Sequence, residues 1–153
     1  MLMNPAIHDE TDIFDSLALA NRLRPILMQI GRQLRRETHL LGVSNTQVTL
    51  LSTIACTPDI GLSALAEREG MTTPTISSHM DRLEAAGFVT RQPSTSGDRR
   101  RVALAITEAG QHVLDSVRAQ RTAWLARHLE TLPPADRAAL VAAIEPLRKL
   151  VES

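Results

Sequence analysis

The chain has 153 residues, a length that suits one domain with a real core. Its 17 basic and 17 acidic residues cancel, which excludes a generally basic nucleic-acid-coating surface. Any affinity for a polyanion has to be focused at one place. Cys56 is the sole cysteine, which excludes an internal disulfide and a cysteine-built zinc cage.

The start, MLMNPAIHDETDIF, is acidic and lacks a basic-then-apolar leader. No apolar run approaches the roughly 20 residues of a membrane span, so a cytoplasmic location is expected. Residues 1–10 read as a loose arm. Residues 11–38 read as a long helix with an apolar stripe of Phe14, Leu17, Ala20, Leu23, Leu27, Ile30 and Leu34. Pro25 lies inside it and predicts a bend near residues 21–24. Such a stripe near a terminus either meets a second subunit or packs within one.

Gly42 breaks the chain. Ser44 and Gln47 then have the spacing of a capping box, and the helix they open carries Val48, Leu51 and Ile54 inward, with Leu50 on a nearby face, as far as Cys56. Cys56 reads as a small buried hydrophobe, with a redox-sensing thiol as the alternative. Thr57, Pro58 and Asp59 end this helix. Ser63 is expected to cap a short helix through Arg68, with Leu62 and Leu65 inward.

The next helix carries the chemistry. Thr72 is a suitable N-cap, and Pro74 falls in the first turn, where its missing N–H costs nothing. Ile76, Met80 and Leu83 lie on one side by their spacing, and Gly87 suits the left-handed residue that closes a helix. The remaining surface shows Thr73, Thr75, Ser77, Ser78, Asp81 and Arg82, with His79 between the two faces. Short hydroxyls can reach phosphates or base edges without holding a backbone out of a groove. An ordinary solvated face is the plain alternative.

Phe88, Val89, Thr90 and Arg91 then read as a strand, and residues 101–106 as its partner by apolar alternation. Turn formers fill residues 92–98. Arg99, Arg100 and Arg101 follow, a compact positive point suited to phosphates and narrow minor grooves. The alternative is a charge run that keeps a strand edge soluble. Thr107 caps a second long helix to about Glu130, with Val113, Leu114, Val117, Trp124 and Leu125 on its apolar side. Thr131, Leu132, Pro133 and Pro134 break it. The last helix, residues 135–151, carries Leu140, Val141, Ile144, Leu147 and Leu150, with Pro146 a second expected bend.

Catalytic and metal patterns have no positive support. The histidines, His8, His39, His79, His112 and His128, form no recognised metal or catalytic spacing. There is no phosphate-cradling glycine loop and no serine elbow. No cofactor and no enzymatic activity are expected.

Taken together, Ser63-Ala64-Leu65-Ala66, Thr72 to Ser77, Asp81-Arg82-Leu83-Glu84, Gly87-Phe88-Val89, Asp98-Arg99-Arg100 and Ile106-Thr107-Glu108 with Gly110 resemble the winged helix of MarR-type bacterial transcription regulators. The flanking helices also have the expected order, so the resemblance covers nearly the whole chain. Ser78 and His79 depart from the pattern, where arginine and an aliphatic residue are commoner, a departure that touches base preference.

The resemblance implies a mainly α fold with a small β-wing, in one domain of residues 1–153. Within it, residues 41–106 would form the winged helix-turn-helix, and residues 1–40 and 107–153 would be dimerisation helices. It implies a homodimeric, ligand-responsive repressor on a pseudo-palindromic operator. Two-fold symmetry then places the recognition helices roughly 34–36 Å apart.

The residues assigned to double-stranded DNA are Thr73, Thr75, Ser77, Ser78, His79, Arg82, Arg99 and Arg100. Asp81 and Asp98 support the wing, and by resemblance Asp81 pairs with Arg100. A small aromatic or phenolic effector is also implied, in a cleft that this composition would line mainly with aliphatic residues and Met. Cys56 is not at the N-terminal position used by peroxide-sensing members. Two different functions stay open beside this one: a Cys56-based redox regulator, and a winged-helix module that binds protein instead of DNA.

Overall fold

Side-chain caps encoded in the sequence set where most of the helices start. In the computed structural model, which describes residues 15–38, 42–97 and 100–152, the elements run α1 (Ser16–Arg36), α2 (Asn45–Cys56), α3 (Leu62–Arg68), α4 (Thr73–Ala85), β1 (Val89–Pro93), β2 (Val102–Ile106), α5 (Glu108–Glu130) and α6 (Pro134–Glu152). Asp15 caps α1 by accepting from the Leu17 amide. The expected helical residues 11–14 lie outside the described residues.

The capping box of α2 is present in both directions: the Ser44 hydroxyl accepts from the Gln47 amide at 3.1 Å, and Gln47 Oε1 accepts from the Ser44 amide at 2.9 Å. Thr107 caps α5 by accepting from the Gly110 amide at 3.1 Å. Ser63 does not cap α3. That helix starts one residue earlier, on Gly61, which supplies no side-chain cap. Both α1 and α6 run unbroken through Pro25 and Pro146.

The core lies between α2 and the first half of α5. Leu50, Leu51, Leu65, Ile76, Met80 and Leu83 are fully buried there, with Val89, Leu104 and Val117 beside them. Each such side chain contributes about 1.5–3 kcal/mol relative to leaving it in water. The inward residues expected for α2 and α4 are the ones found inside. Cys56 is a correction: it is exposed at the end of α2, not buried. The helix turns its Val48, Leu51 and Ile54 side to the core, and Cys56 falls outside that stripe.

α1 and α6 contain no buried residue. Leu17, Ile26, Met28, Val141 and Ile144 are each more than half exposed.

The two strands pair antiparallel in the register Val89↔Ile106 to Pro93↔Val102, and Ser94 N–H donates to Arg101 C=O at 2.7 Å to close the hairpin. The loop between α2 and α3 joins this sheet. Gly61 bridges to Ala103, and the Leu104 amide donates to the Ile60 carbonyl at 2.8 Å.

Candidate nucleic-acid interface

The turn between α4 and β1 fixes how the recognition helix meets the hairpin. Gly87 has φ +76°, a left-handed conformation that glycine adopts at no steric cost. The Phe88 amide reaches back to the Leu83 carbonyl at 2.9 Å, satisfying a carbonyl the helix leaves unpaired at its end. Thr107 then ties α5 to the same turn: its hydroxyl donates to the Gly87 carbonyl at 2.6 Å and its amide to the Phe88 carbonyl at 3.0 Å.

Along α4 the side chains divide as helical spacing requires. Ile76, Met80 and Leu83 are 0% exposed. Thr73, Thr75, Ser78 and Arg82 are exposed, and Ser77 and His79 are half-buried. Thr72 accepts from the Thr75 amide at 3.4 Å, and the two hydroxyls are 2.8 Å apart. The first turn thus holds Thr75 in place while its side chain stays accessible.

Two clamps join the hairpin to the helices. The first is Arg91 of β1, which donates to Asp81 Oδ1 at 2.7 Å and lies 3.4 Å from Glu84 Oε2. The cation found on Asp81 is therefore Arg91, where the family resemblance implied Arg100. The pairing follows from β1 leaving the Gly87 turn alongside α4. Its charges are exposed, so its contribution to stability is small, about 0–1 kcal/mol. What the pair supplies is orientation.

The second clamp is Asp59, in the α2–α3 loop. Its carboxylate accepts from Ser94 Oγ at 2.5 Å, from the Thr95 amide at 2.8 Å and from Thr95 Oγ1 at 3.3 Å. The Ser94 hydroxyl and then the Thr95 amide hold its carboxyl down at about 2, from an ordinary 3.8. Asp59 adopts φ +63°, the sole positive φ outside glycine among the described residues. Such a conformation costs energy and persists where surrounding contacts hold it. Ser94 is buried.

Arg100 and Arg101 are exposed at the hairpin tip. Asp98 and Arg99 lie outside the described residues. Sequence reasoning missed Arg91, Glu84, Asp59 and Ser94. The Ser94-Thr95-Ser96 run was read only as turn chemistry, and its acceptor lies 35 residues upstream.

Of the histidines, His112 lies 3.7 Å from Glu108 and His128 stacks on Trp124 with ring centroids 4.0 Å apart. His8 and His39 fall outside the described residues. Among the described residues no group of three metal-ligating side chains is assembled, and no helix is long and apolar enough to cross a membrane.

A capped helix with an exposed hydroxyl face, closed by a glycine turn and clamped to an arginine-tipped hairpin, defines a winged helix-turn-helix. Residues 43–102 match the MarR family model. An HTH-type transcriptional regulator of Mycobacterium tuberculosis is 33% identical over 134 residues, covering 88% of this chain and 93% of that one. Among solved structures, a transcriptional regulator from Pseudomonas aeruginosa superposes with a TM-score of 0.76 at 28% identity, over 92% of this chain and 98% of that one. Streptococcus pneumoniae FabT, solved in complex with DNA, shares the fold at a TM-score of 0.62 and 21% identity, over 86% of this chain and 96% of that one. The chain belongs to the MarR family, a DNA-binding transcription regulator by its kinship and fold.

Proposed function

We propose that the protein acts as a homodimeric repressor on a pseudo-palindromic operator, its affinity set by a small-molecule effector. The observation that carries this reading is the joint clamping of α4 and the hairpin. Arg91 ties β1 to Asp81 and Glu84 of the recognition helix, and Asp59 ties the hairpin loop to the α2–α3 loop. Helix and wing are then one rigid reading head. Thr73, Thr75, Ser77, Ser78 and Arg82 enter the major groove, with His79 at its edge. Arg99 and Arg100 reach phosphates or the adjacent minor groove. Asp81 supports the wing through Arg91, and Asp98 stands at the hairpin tip beside those arginines.

Dimerisation is supported by α1 and α6, whose apolar side chains find no cover within the chain. A patch of that kind on a soluble protein marks an interaction surface. Residues 1–40 and 107–153 supply the dimer contacts, and residues 41–106 the reading head. Pairing about a two-fold axis sets the two recognition helices at one DNA turn. An effector seated between the terminal helices and the reading head acts by favouring a half-site spacing that does not match the duplex.

The test is a gel shift with the gene's own upstream region against a scrambled competitor. Retardation that survives scrambled competitor but not specific competitor supports operator recognition. Equal competition by both, or no retardation, rejects it.

A further inference from the structure

We propose that the recess where α1, α2 and α5 meet is a binding site for a small organic carboxylate, gripped by Arg35 and Arg121. The recess has a volume of about 350 Å³. Its wall is formed by Asn45, Thr49, Ser52 and Thr53 of α2, over Val48, with Arg35 of α1 and Arg121 of α5. No carboxylate is among the described residues that line it. This differs from the aliphatic and Met-lined cleft expected from composition.

The two arginines are not explained by the fold alone. Arg121 is half-buried. Its Nε donates to the Leu34 carbonyl at 3.2 Å, and Nη2 donates to Thr38 Oγ1 at 2.8 Å and Asn45 Oδ1 at 3.4 Å. Those three acceptors are neutral. A guanidinium carries five N–H donors, and the two on Nη1 have no partner among the described residues.

The Arg35 side chain, on the same recess, has no hydrogen bond or ion pair among the described residues. Burial, and then the charge of Arg35, push the Arg121 guanidinium below its ordinary value. Two cations facing one cavity without a counter-charge repel each other. Their five-donor forks match the paired oxygens of a carboxylate.

The rest of the wall suits the same ligand. Asn45 opens α2, and no acidic residue lies in the first turn of that helix, so the positive end of its dipole is left unopposed. Ser52 and Thr49 add hydroxyls, and Thr49 Oγ1 is positioned by its bond to the Asn45 carbonyl at 3.0 Å. Thr53 donates to Glu69 at 2.5 Å and so turns its hydroxyl away to that acid. Val48 offers an apolar floor. The volume is at the small end of the roughly 300–1,000 Å³ of ligand pockets. That is more room than a bare inorganic anion needs, and it fits a short organic diacid with one carboxylate to each arginine.

Binding would draw one residue of α1 and one of α5 against α2. It would thereby fix the terminal helices relative to the reading head. This deepens the effector reading proposed above and rests on it for its regulatory consequence, but not for binding itself.

The experiment is calorimetric titration of the full chain, without DNA, at ionic strength matched with sodium chloride, using succinate, its uncharged analogue succinamide, and sulfate. Saturable heat is expected with succinate, none with succinamide, and much weaker binding with sulfate. Arg35→Gln, at an exposed side chain without a partner, should keep the melting temperature of the wild type and lose at least about tenfold in succinate affinity. Arg35→Lys should recover part of it.

No heat with succinate, or the same affinity in Arg35→Gln, overturns the site. Equal binding of sulfate and succinate overturns the organic-acid assignment. Operator gel shifts with and without succinate are read separately. Binding without any change in DNA affinity leaves the site standing and removes its regulatory role, whereas failure to bind any operator leaves the titration untouched.

Discussion

Gly110→Ala sets two effects of opposite sign against each other. Alanine is favoured over glycine inside a helix by about 1 kcal/mol, and Gly110 lies in the first turn of α5. Yet a Cβ there would overlap the Phe88 carbonyl oxygen and sit 2.8 Å from Ile106 Cγ1. The obstacle is backbone. That oxygen already accepts from the Thr107 amide at 3.0 Å, so retreat opens a hydrogen bond of about 0.5–1.5 kcal/mol net. Overpacking adds about 1–3 kcal/mol.

The clash wins, leaving a net loss of about 1–3 kcal/mol, which for a chain of this length is about 3–10 °C in melting temperature. Thermal melts by circular dichroism at matched protein concentration measure it, since dimerisation makes the midpoint concentration-dependent. Gly31→Ala is the control. Its Cβ would meet only the flexible guanidinium of Arg35, at 3.3 Å, and its midpoint should not fall. A Gly110→Ala protein that melts at or above the wild type would refute the claim that α5 is seated on the turn joining recognition helix and wing.

Three further outcomes follow from the same geometry. Asp59 has a depressed folded value of about 2, so its clamp is fully present above the ordinary 3.8 and is lost as pH falls from about 4 to 2. Hairpin amide exchange should therefore not change with pH through this clamp above pH 5 once intrinsic rates are corrected, whereas Asp59→Ala should speed exchange at Thr95 near neutral pH; unchanged protection there would count against the clamp. Ser78→Ala should shift preference among operator variants by about 1–3 kcal/mol at the base pair it reads, and an equal loss on every sequence would show that Ser78 is no reader. Ile144→Asp should raise the dimer dissociation constant by about 10² to 10⁴, since a lost Ile is about 1.5–3 kcal/mol and counts twice across a two-fold axis; unchanged mass by light scattering at dilution would place the interface elsewhere.

What the sequence disclosed was chiefly local. Ser44 with Gln47, Thr72 and Thr107 announced helix starts because a cap acts within three residues. Ile76, Met80 and Leu83 gave away the inner face of α4 by spacing alone. The errors sit where distant segments decide. Gly61, not Ser63, opens α3, because the backbone there is drawn to Ala103 of the hairpin. Cys56 ends an apolar segment, yet its direction depends on which side of α2 the rest of the core covers. Asp81 was rightly marked as wing support, but its partner is set by how β1 leaves the Gly87 turn. Neither the Asp59 clamp nor the Arg35 and Arg121 recess has any local signature, since each joins residues far apart in the chain.

The central claim is that recognition helix and wing, held as one head in each of two subunits, read a single duplex. Hydroxyl-radical footprinting of the upstream DNA tests it most directly. The account predicts protections arranged about a two-fold centre, their two strongest blocks separated by about one helical turn, roughly 34–36 Å, with flanking protection that disappears in Arg100→Ala. A single block without symmetry, or flanks unaltered in Arg100→Ala, would contradict it.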